Sequence, residues 1–209
     1  RAHRPPDAAA DAPVGIDSGD NGRLEARGIH WCFDSGLHVP LVIHWPKNFD
    51  APKHYERGRV DDRVISLIDL TATTLAIAGI EIPVSMQGRP FLGDDVGPPR
   101  RYAFSARDRI DETEIRQRSV RDKRYHYVRN FTSGTGFATL NRYKEKCFLV
   151  KPLMRQMLER GTLTGPPADL MKPMPREQLF DTESDPFEIK DLATSDSPEH
   201  RQALVAMRA

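Results

Sequence analysis

The residues best suited to chemistry lie near the start of the chain, in the run Ser18-Gly19-Asp20-Asn21-Gly22. Asp20 and Asn21 place a carboxylate beside an amide oxygen, and both are hard donors that suit Ca²⁺ or Mg²⁺. Two donors do not complete such a site, and an isolated Asp-Asn-Gly is also a common turn, since Asn and Gly tolerate positive φ. The run therefore indicates two metal ligands or a turn, and the flanking sequence has to decide.

A second group of charged residues, Arg107-Asp108-Arg109 with Asp111-Glu112, lies at the end of a strand predicted over residues 102–108. The ends of strands in α/β enzymes commonly carry ligand contacts. A solvated charged loop explains the same pattern. Both interpretations stay open at this point.

The cysteines and histidines do not form a recognisable metal or redox motif. Cys32 and Cys147 are not part of a C-x-x-C pair, and we interpret both as buried structural thiols. His38, His44 and His54 do not form an H-x-x-x-H pair on one helix, because the first two flank a predicted strand and the third lies in a linker. We interpret these histidines as structural or surface residues.

The elements that would position the Asp-Asn pair have an α/β pattern. Residues 38–45 form a short apolar run that predicts a strand buried on both faces of a parallel sheet. Residues 62–68 predict a second strand, Asp69 is placed to cap a helix over 70–78, and Gly79 suits the left-handed stop position. These elements together predict one α/β unit.

The later part of the chain predicts more antiparallel structure. Its clearest feature is a hairpin over residues 119–131 that turns at Asp122-Lys123. The alternating aromatic residues within Lys123–Tyr127 are expected to pack in a core rather than bind nucleic acid. The other predicted elements are a strand over 102–108, a helix over 141–160 interrupted near Pro152, a strand over 177–180 and a helix from Pro198.

The chain as a whole predicts three regions. Residues 1–17 are rich in Ala, Pro, Arg and Asp without a regular period, which predicts an irregular or disordered leader. Residues 18–100 predict an α/β region with a partial parallel or mixed sheet flanked by helices. Residues 101–209 predict a smaller α+β subdomain with antiparallel strands.

The order and spacing of several motifs resemble the sulfatase family of the alkaline-phosphatase-like superfamily. Its members typically have S-D-N/H-G, then an aromatic, an acidic and a small residue, then V-P-L-I-I-x-W-P. The chain has Ser18–Gly22, then Phe33-Asp34-Ser35-Gly36, then Val39-Pro40-Leu41-Val42-Ile43-His44-Trp45-Pro46. Residues 66–80, 87–90 and 177–193 are similar to later blocks of the family, nearest in pattern to the heparan N-sulfatase-like members.

This resemblance implies a metal site. Residues 18–100 would be the C-terminal part of the sulfatase catalytic domain, and residues 101–209 its C-terminal subdomain. Asp20 and Asn21 would be two ligands of the catalytic cation, which is usually Ca²⁺, with Mg²⁺ as an alternative. A metal in that position neutralises a sulfate oxygen and orients the sulfur.

The resemblance also implies substrate contacts. Family members have a sulfate-contacting Lys at the position of Ile29, and the adjacent His30 is a candidate replacement donor. Arg107 and Arg109 are candidates for contacts with an anionic sugar, because this region approaches the substrate in related members. The implied ligand is a sulfated small molecule or glycan.

The family's nucleophile is a Cys in C-x-P/A-S-R that is oxidised to formylglycine, and this motif is absent from the sequence. Cys32 is followed by Phe-Asp-Ser and Cys147 by Phe-Leu-Val. We therefore expect sulfuric ester hydrolysis only in a longer enzyme with an upstream catalytic part, and no activity of this chain alone. The alternatives are a non-catalytic remnant or glycan-binding module, and a phosphoesterase of the same superfamily.

The composition excludes some other classes of protein. The chain has 31 basic and 30 acidic residues spread along its length. The sequence contains no basic stripe of the kind that would predict a nucleic-acid partner. The apolar runs are much shorter than the roughly 20 residues of a membrane-spanning helix. Compartment and oligomeric state stay open.

Overall fold

The computed structural model describes residues 13–22, 26–137, 139 and 141–208. Contacts between residues divide the chain into two compact units. The first unit contains the described parts of 1–20 and 39–103, and the second contains those of 21–38 and 104–209. Most of the predicted leader, residues 1–12, lies outside the described residues.

The described residues form a mixed α/β structure, which confirms the predicted fold class. The strands are β1 (Gly15–Ser18), β2 (Leu41–His44), β3 (Ala103–Ile110), β4 (Thr113–Arg121), β5 (Tyr125–Asn130) and β6 (Glu177–Asp181). The helices are α1 (Asp34–Leu37), α2 (Ile68–Ile77), α3 (Arg142–Cys147), α4 (Val150–Glu159), α5 (Pro166–Leu170) and α6 (Pro198–Arg208).

The first unit contains a ribbon of β1 and β2. The two strands are antiparallel, with Gly15 opposite His44 and Ser18 opposite Leu41. The prediction of a parallel strand buried on both faces is therefore wrong for residues 38–45. Within the described residues β2 has one neighbouring strand, and Val42 on its open face is 62% exposed. Strand β1 begins inside the segment that we expected to be irregular.

Asp69 organises the first unit around α2 without capping the helix. It lies in the first helical turn, and its carboxylate accepts the N–H groups of Ser66 (3.0 Å) and Arg89 (2.8 Å). Arg100 donates to both carboxylate oxygens, each at 2.6 Å. The predicted strand over 62–68 is reduced to one bridge between Val64 and Arg100. Two loops and the helix are thus joined through one buried side chain.

The end of α2 follows the prediction. Gly79 has a φ of +68°, the left-handed conformation that favours glycine. Its N–H bonds to Ala76 O at 3.2 Å, and the Ile80 N–H bonds to Leu75 O at 2.9 Å. The helix therefore stops where the sequence indicates.

The second unit is built on a four-stranded sheet in the order β3-β4-β5-β6. The predicted hairpin is confirmed, with Val120 opposite Tyr127. Asp122 fixes the turn, because its side chain accepts the N–H groups of Arg124 (2.8 Å) and Tyr125 (2.6 Å). Strand β6 pairs antiparallel with β5. The predicted antiparallel character of this part of the chain is confirmed.

Helices cover one part of this sheet. The helix predicted over 141–160 is divided into α3 and α4, with the break at 148–149 rather than near Pro152. Pro152 lies in the first turn of α4, where backbone N–H groups make no intrahelical bond, so its missing N–H does not disrupt the helix. The core of the unit consists of Trp31, Phe33, Ile115, Val128, Phe137, Met154, Met171 and Phe180. Trp31 and Phe137 belong to this core and also line the cavity described below.

Candidate functional site

Asp20 and Asn21, the predicted metal ligands, follow β1 after one intervening residue, Gly19. Asp20 is exposed at the end of the first unit, and Asn21 is exposed at the start of the second. Gly19, just before them, donates its N–H to Pro40 O at 3.2 Å. This bond joins Gly19, which precedes the pair, to Pro40, which immediately precedes β2.

The glycine that follows the pair has a steric role. A Cβ on Gly22 would lie 2.0 Å from Ser35 O and 2.7 Å from the Cα of Gly36. The Gly22 N–H donates to Gly36 O at 2.9 Å. A Cβ on Gly36 would in turn lie 2.4 Å from Gly28 O and 2.7 Å from Trp31 O. The Asp-Asn-Gly and Phe-Asp-Ser-Gly motifs therefore meet through two residues that have no room for side chains.

A group of buried cationic side chains lies in the second unit, and Arg107 on β3 is its first member. The residue is 7% exposed, and its Nη1 donates to His30 O at 2.6 Å. Its guanidinium carbon lies 4.2 Å from the centre of the Trp31 ring. Its Nε has no hydrogen-bond partner among the described residues. Burial lowers the pKa of Arg107 to about 10.

Two lysines from α3 and α4 join Arg107. Lys144 is 7% exposed and its Nζ donates to Ile29 O at 2.7 Å. Lys151 is 4% exposed, its Nζ donates to Thr139 O, and it lies 5.3 Å from the centre of the Phe137 ring. Burial and then the charges of Lys151 and Arg107 lower the pKa of Lys144 to about 8. The charged forms of these side chains are therefore disfavoured in the folded chain.

His30 completes the lining of the same cavity. Its φ is +83°, an uncommon conformation for a residue other than glycine. Burial and then the charges of Lys144 and Arg107 lower its pKa. The cavity encloses about 10 Å³, which is room for about one water molecule. We call Arg107, Lys144 and Lys151 with their cavity the basic pocket.

The carboxylates near the basic pocket have other partners. Glu145 lies 3.8 Å from Lys151 Nζ, but both of its oxygens accept hydrogen bonds from Arg155 at 2.9 and 3.0 Å. Asp111 accepts from Asn141 Nδ2 at 3.1 Å. The positive charge of the pocket is therefore only partly compensated.

Arg109, the third predicted substrate residue, does not line the basic pocket. Its side chain is 63% exposed, its Nε donates to Asp111 O at 2.8 Å, and its Nη1 lies 3.5 Å from Glu114. The structure thus brings His30 and Arg107 together and leaves Arg109 on the surface. Lys144 and Lys151 were missed by the sequence reasoning, because basic residues on a helix usually indicate a solvated face.

A buried group of Asp34, His126 and Glu188 has ligand atoms within 4.8 Å of one another. Most of its polar atoms have partners within the protein, and His126 Nε2 is buried without a hydrogen-bond partner among the described residues. Glu188 accepts from the backbone N–H of Asp34 at 2.8 Å and lies 2.5 Å from His126 Nδ1. Asp34 pairs with Arg121 at 2.9 Å and with His38 at 3.2 Å. We therefore interpret this group as an internal network.

The two thiols differ in environment. Cys32 is 2% exposed, and burial raises its pKa to about 11, as expected for an unreactive structural thiol. Cys147 ends α3 and is exposed, so the prediction that it is buried is wrong.

Comparison with known proteins identifies the family. Residues 25–145 match the model described as N-sulphoglucosamine sulphohydrolase, C-terminal. An "Ulvan-active sulfatase" from Formosa agariphila is 36% identical over 192 residues, which cover 91% of this chain and 30% of that protein. The chain belongs to the sulfatase family. It spans less than a third of this sulfatase relative.

Solved sulfatase structures share the fold. A sulfatase structure from Bacteroides thetaiotaomicron and the structure of a 2-O GAG sulfatase both superpose with a TM-score of 0.52, at 20% and 19% identity. Each match covers 83% of this sulfatase chain and 28% of the other chain.

No helix among the described residues is long and apolar enough to cross a membrane.

The donors of Asp20 and Asn21 fit a hard divalent cation by type. One offers a carboxylate and the other an amide oxygen, and both side chains are exposed. Ca²⁺ takes about six to eight oxygen ligands, so this pair requires further donors. The sulfatase motif C-x-P/A-S-R does not occur in the sequence. The assignment of Asp20 and Asn21 as metal ligands stays a prediction.

Proposed function

We propose that this sulfatase chain takes part in the hydrolysis of sulfate esters on a carbohydrate, as one part of a longer catalytic unit. The observation that supports this most directly is the basic pocket, since a sulfated saccharide is an anion and three cationic side chains converge there. The family membership and the activity of a relative on ulvan point to the same substrate class.

In this proposal Asp20 and Asn21 hold a divalent cation, Ca²⁺ in preference to Mg²⁺. Such a cation neutralises charge on a sulfate oxygen when it is bound. The nucleophile and the remaining metal ligands come from outside the 209 residues. His30, Arg107 and Arg109 contact anionic groups of the sugar, with Arg107 held in place by the ring of Trp31 and by His30 O.

The test measures sulfate release from ulvan and from 4-nitrophenyl sulfate. The 209-residue chain is compared with a longer polypeptide that carries a C-x-P/A-S-R motif ahead of it. We expect no release by the chain alone and calcium-dependent release by the longer form. Release by the chain alone at an ordinary enzymatic rate would contradict the proposal, because the nucleophile would then lie within these residues.

A pair of variants tests the metal ligands. In the longer form, Asp20→Ala should lower the affinity for calcium and the rate at fixed calcium by roughly 10- to 100-fold. Asp17→Ala is the matched control, because Asp17 is an exposed aspartate on β1 three residues earlier. Equal effects of the two substitutions would count against the assignment of Asp20.

The non-catalytic alternative makes a different prediction. A glycan-binding module would bind sulfated saccharide through the basic pocket, and the longer form would release no sulfate. A phosphoesterase would instead release phosphate from 4-nitrophenyl phosphate faster than sulfate from the corresponding sulfate ester. The two assays with the longer form therefore separate the three functions.

A further inference from the structure

We propose that Arg107, Lys144 and Lys151 form a binding site for one oxyanion group of the saccharide, either a sulfate ester or a carboxylate. The proposal rests on the proposed function for the saccharide that carries the group. The binding of an oxyanion as such follows from the pocket itself. Lys144 and Lys151 enter the site here as specificity-determining residues.

The first argument is the unused hydrogen-bonding capacity of the pocket. An Arg side chain has five N–H donors and a Lys has three. Among the described residues, Lys144 Nζ donates to one carbonyl oxygen, that of Ile29, and Arg107 Nε donates to none. Arg107 is 7% exposed, so its unpartnered Nε is buried. A buried donor without a partner is unfavourable, and an oxyanion at the cavity would satisfy it.

The second argument is the charge of the pocket. Three cationic side chains that are each less than 10% exposed line one cavity. Glu145 is shared with Arg155, and Asp111 is bonded to Asn141. Burying like charges together is unfavourable unless an anion compensates them. The arrangement is therefore costly in the free chain and favourable when an anion is bound.

The third argument is the way the cations are held. The rings of Trp31 and Phe137 form an aromatic floor, with the Arg107 guanidinium 4.2 Å and the Lys151 Nζ 5.3 Å from the respective ring centres. The rings lie 5.8 Å apart and belong to the core of the unit. The cations are thus positioned before a ligand arrives, which reduces the entropy lost on binding.

The size of the cavity limits the ligand. About 10 Å³ is enclosed, so the space admits about one oxygen atom of an anion while the rest of the molecule stays outside. A terminal sulfate or carboxylate on a sugar has this shape. An extended polyanion held along its length does not match a single enclosed position.

Binding is tested on the 209-residue chain by NMR titration with inorganic sulfate, glucose 6-sulfate, glucuronate and uncharged glucose. We expect binding of the anions and none of glucose, and the ratio of the two sugar affinities identifies sulfate or carboxylate as the preferred group. Lys144→Gln should raise the dissociation constant for sulfate about tenfold or more. Lys146→Gln on the same helix, an exposed lysine, should leave it unchanged.

Proton linkage provides a readout that a merely structural role of Lys144 would not give. Its pKa of about 8 in the free chain should rise when an anion binds, so binding at pH 8 to 9 should take up a proton. Calorimetry in buffers of different ionisation enthalpy measures this uptake, and Lys144→Gln should abolish it. Lys151→Gln provides a second variant if Lys144→Gln does not fold.

The outcomes separate the two proposals. Anion binding that depends on Lys144, with no sulfate release by the longer form, would sustain the site and overturn the proposed function. Sulfate release by the longer form with equal sulfate affinity in Lys144→Gln and Lys146→Gln would overturn the site alone. A folded chain that binds none of the three anions would also overturn it.

Discussion

His126 Nδ1 lies 2.5 Å from Glu188 Oε1, and the two side chains are 0% and 2% exposed. The other oxygen of Glu188 accepts the backbone N–H of Asp34 at 2.8 Å. One carboxylate therefore joins β5, the start of α1 and the loop after β6. Glu188 therefore holds together segments of the second unit that are far apart in sequence.

Glu188→Ala should lower the free energy of unfolding by about 2–5 kcal/mol, because it leaves His126 Nδ1 and the Asp34 N–H buried without their partner. Urea unfolding followed by circular dichroism measures the loss. Glu183→Ala is the control, since the Glu183 side chain is 65% exposed, and its effect should stay within about 0.5 kcal/mol. Similar losses in both variants would show that the buried contact is not the cause.

Asp69 should make the first unit sensitive to acid. Burial alone would raise its pKa, but hydrogen bonds from Arg100 and from the N–H groups of Arg89 and Ser66 outweigh burial and lower it. A carboxyl with a lowered pKa contributes stability that is complete above its unfolded value of about 4 and is lost as the pH falls through the folded value.

Asp69→Asn should therefore lower stability at pH 7 by about 3 kcal/mol and reduce the dependence on pH below about 4. Unfolding by urea at several pH values between 2 and 7 measures both effects. Asp94→Asn provides the comparison, because Asp94 is 79% exposed in a surface pair with Lys53. If the free energy of unfolding falls equally with pH in the wild-type chain and in Asp69→Asn, this account is contradicted.

Gly22→Ala should destabilise the second unit by about 1–3 kcal/mol, since the added methyl would lie 2.0 Å from a backbone oxygen that has no flexible side chain to move. Gly97→Ala is the control, because no heavy atom lies within 4 Å of its Cβ position. Thermal unfolding of the three proteins measures the difference. A tolerated alanine at position 22 would mean that the two motifs do not require close contact.

Lys144→Met should stabilise the anion-free chain at pH 7 by about 1–3 kcal/mol. The sign follows from the lowered pKa of Lys144, about 8 instead of 10.5. The folded chain binds fewer protons than the unfolded chain between these values, so wild-type stability rises with pH there and the advantage of methionine shrinks. Unfolding at pH 7, 9 and 10.5 measures the trend, and a loss of stability at pH 7 would indicate a mainly structural lysine.

Several elements could be predicted because their signals are local. The turn at Asp122, the stop of α2 at Gly79 and the final helix from Pro198 each depend on residues within a few positions of one another. The family motifs could also be recognised, because their order and spacing are properties of the sequence itself.

Other features depend on contacts that no local pattern specifies. Apolar residues in β2 are compatible with a parallel or an antiparallel neighbour, and the partner decides. Lys144 and Lys151 have the spacing of an ordinary polar helix face, and only the packing of α3 and α4 against the segments with Ile29 and Thr139 buries them. The sequence alone therefore did not predict that these two lysines are buried, because their burial depends on contacts between segments that are distant in sequence.

The bond between Gly22 and Gly36 closes a loop whose ends lie together while its residues include His30. The same segment carries Trp31 and Phe33, which belong to the core of the second unit. An exchange of this segment between sulfatases should therefore keep both aromatic residues and the two glycines, and vary only positions that are not fully buried, such as Ile29 and His30.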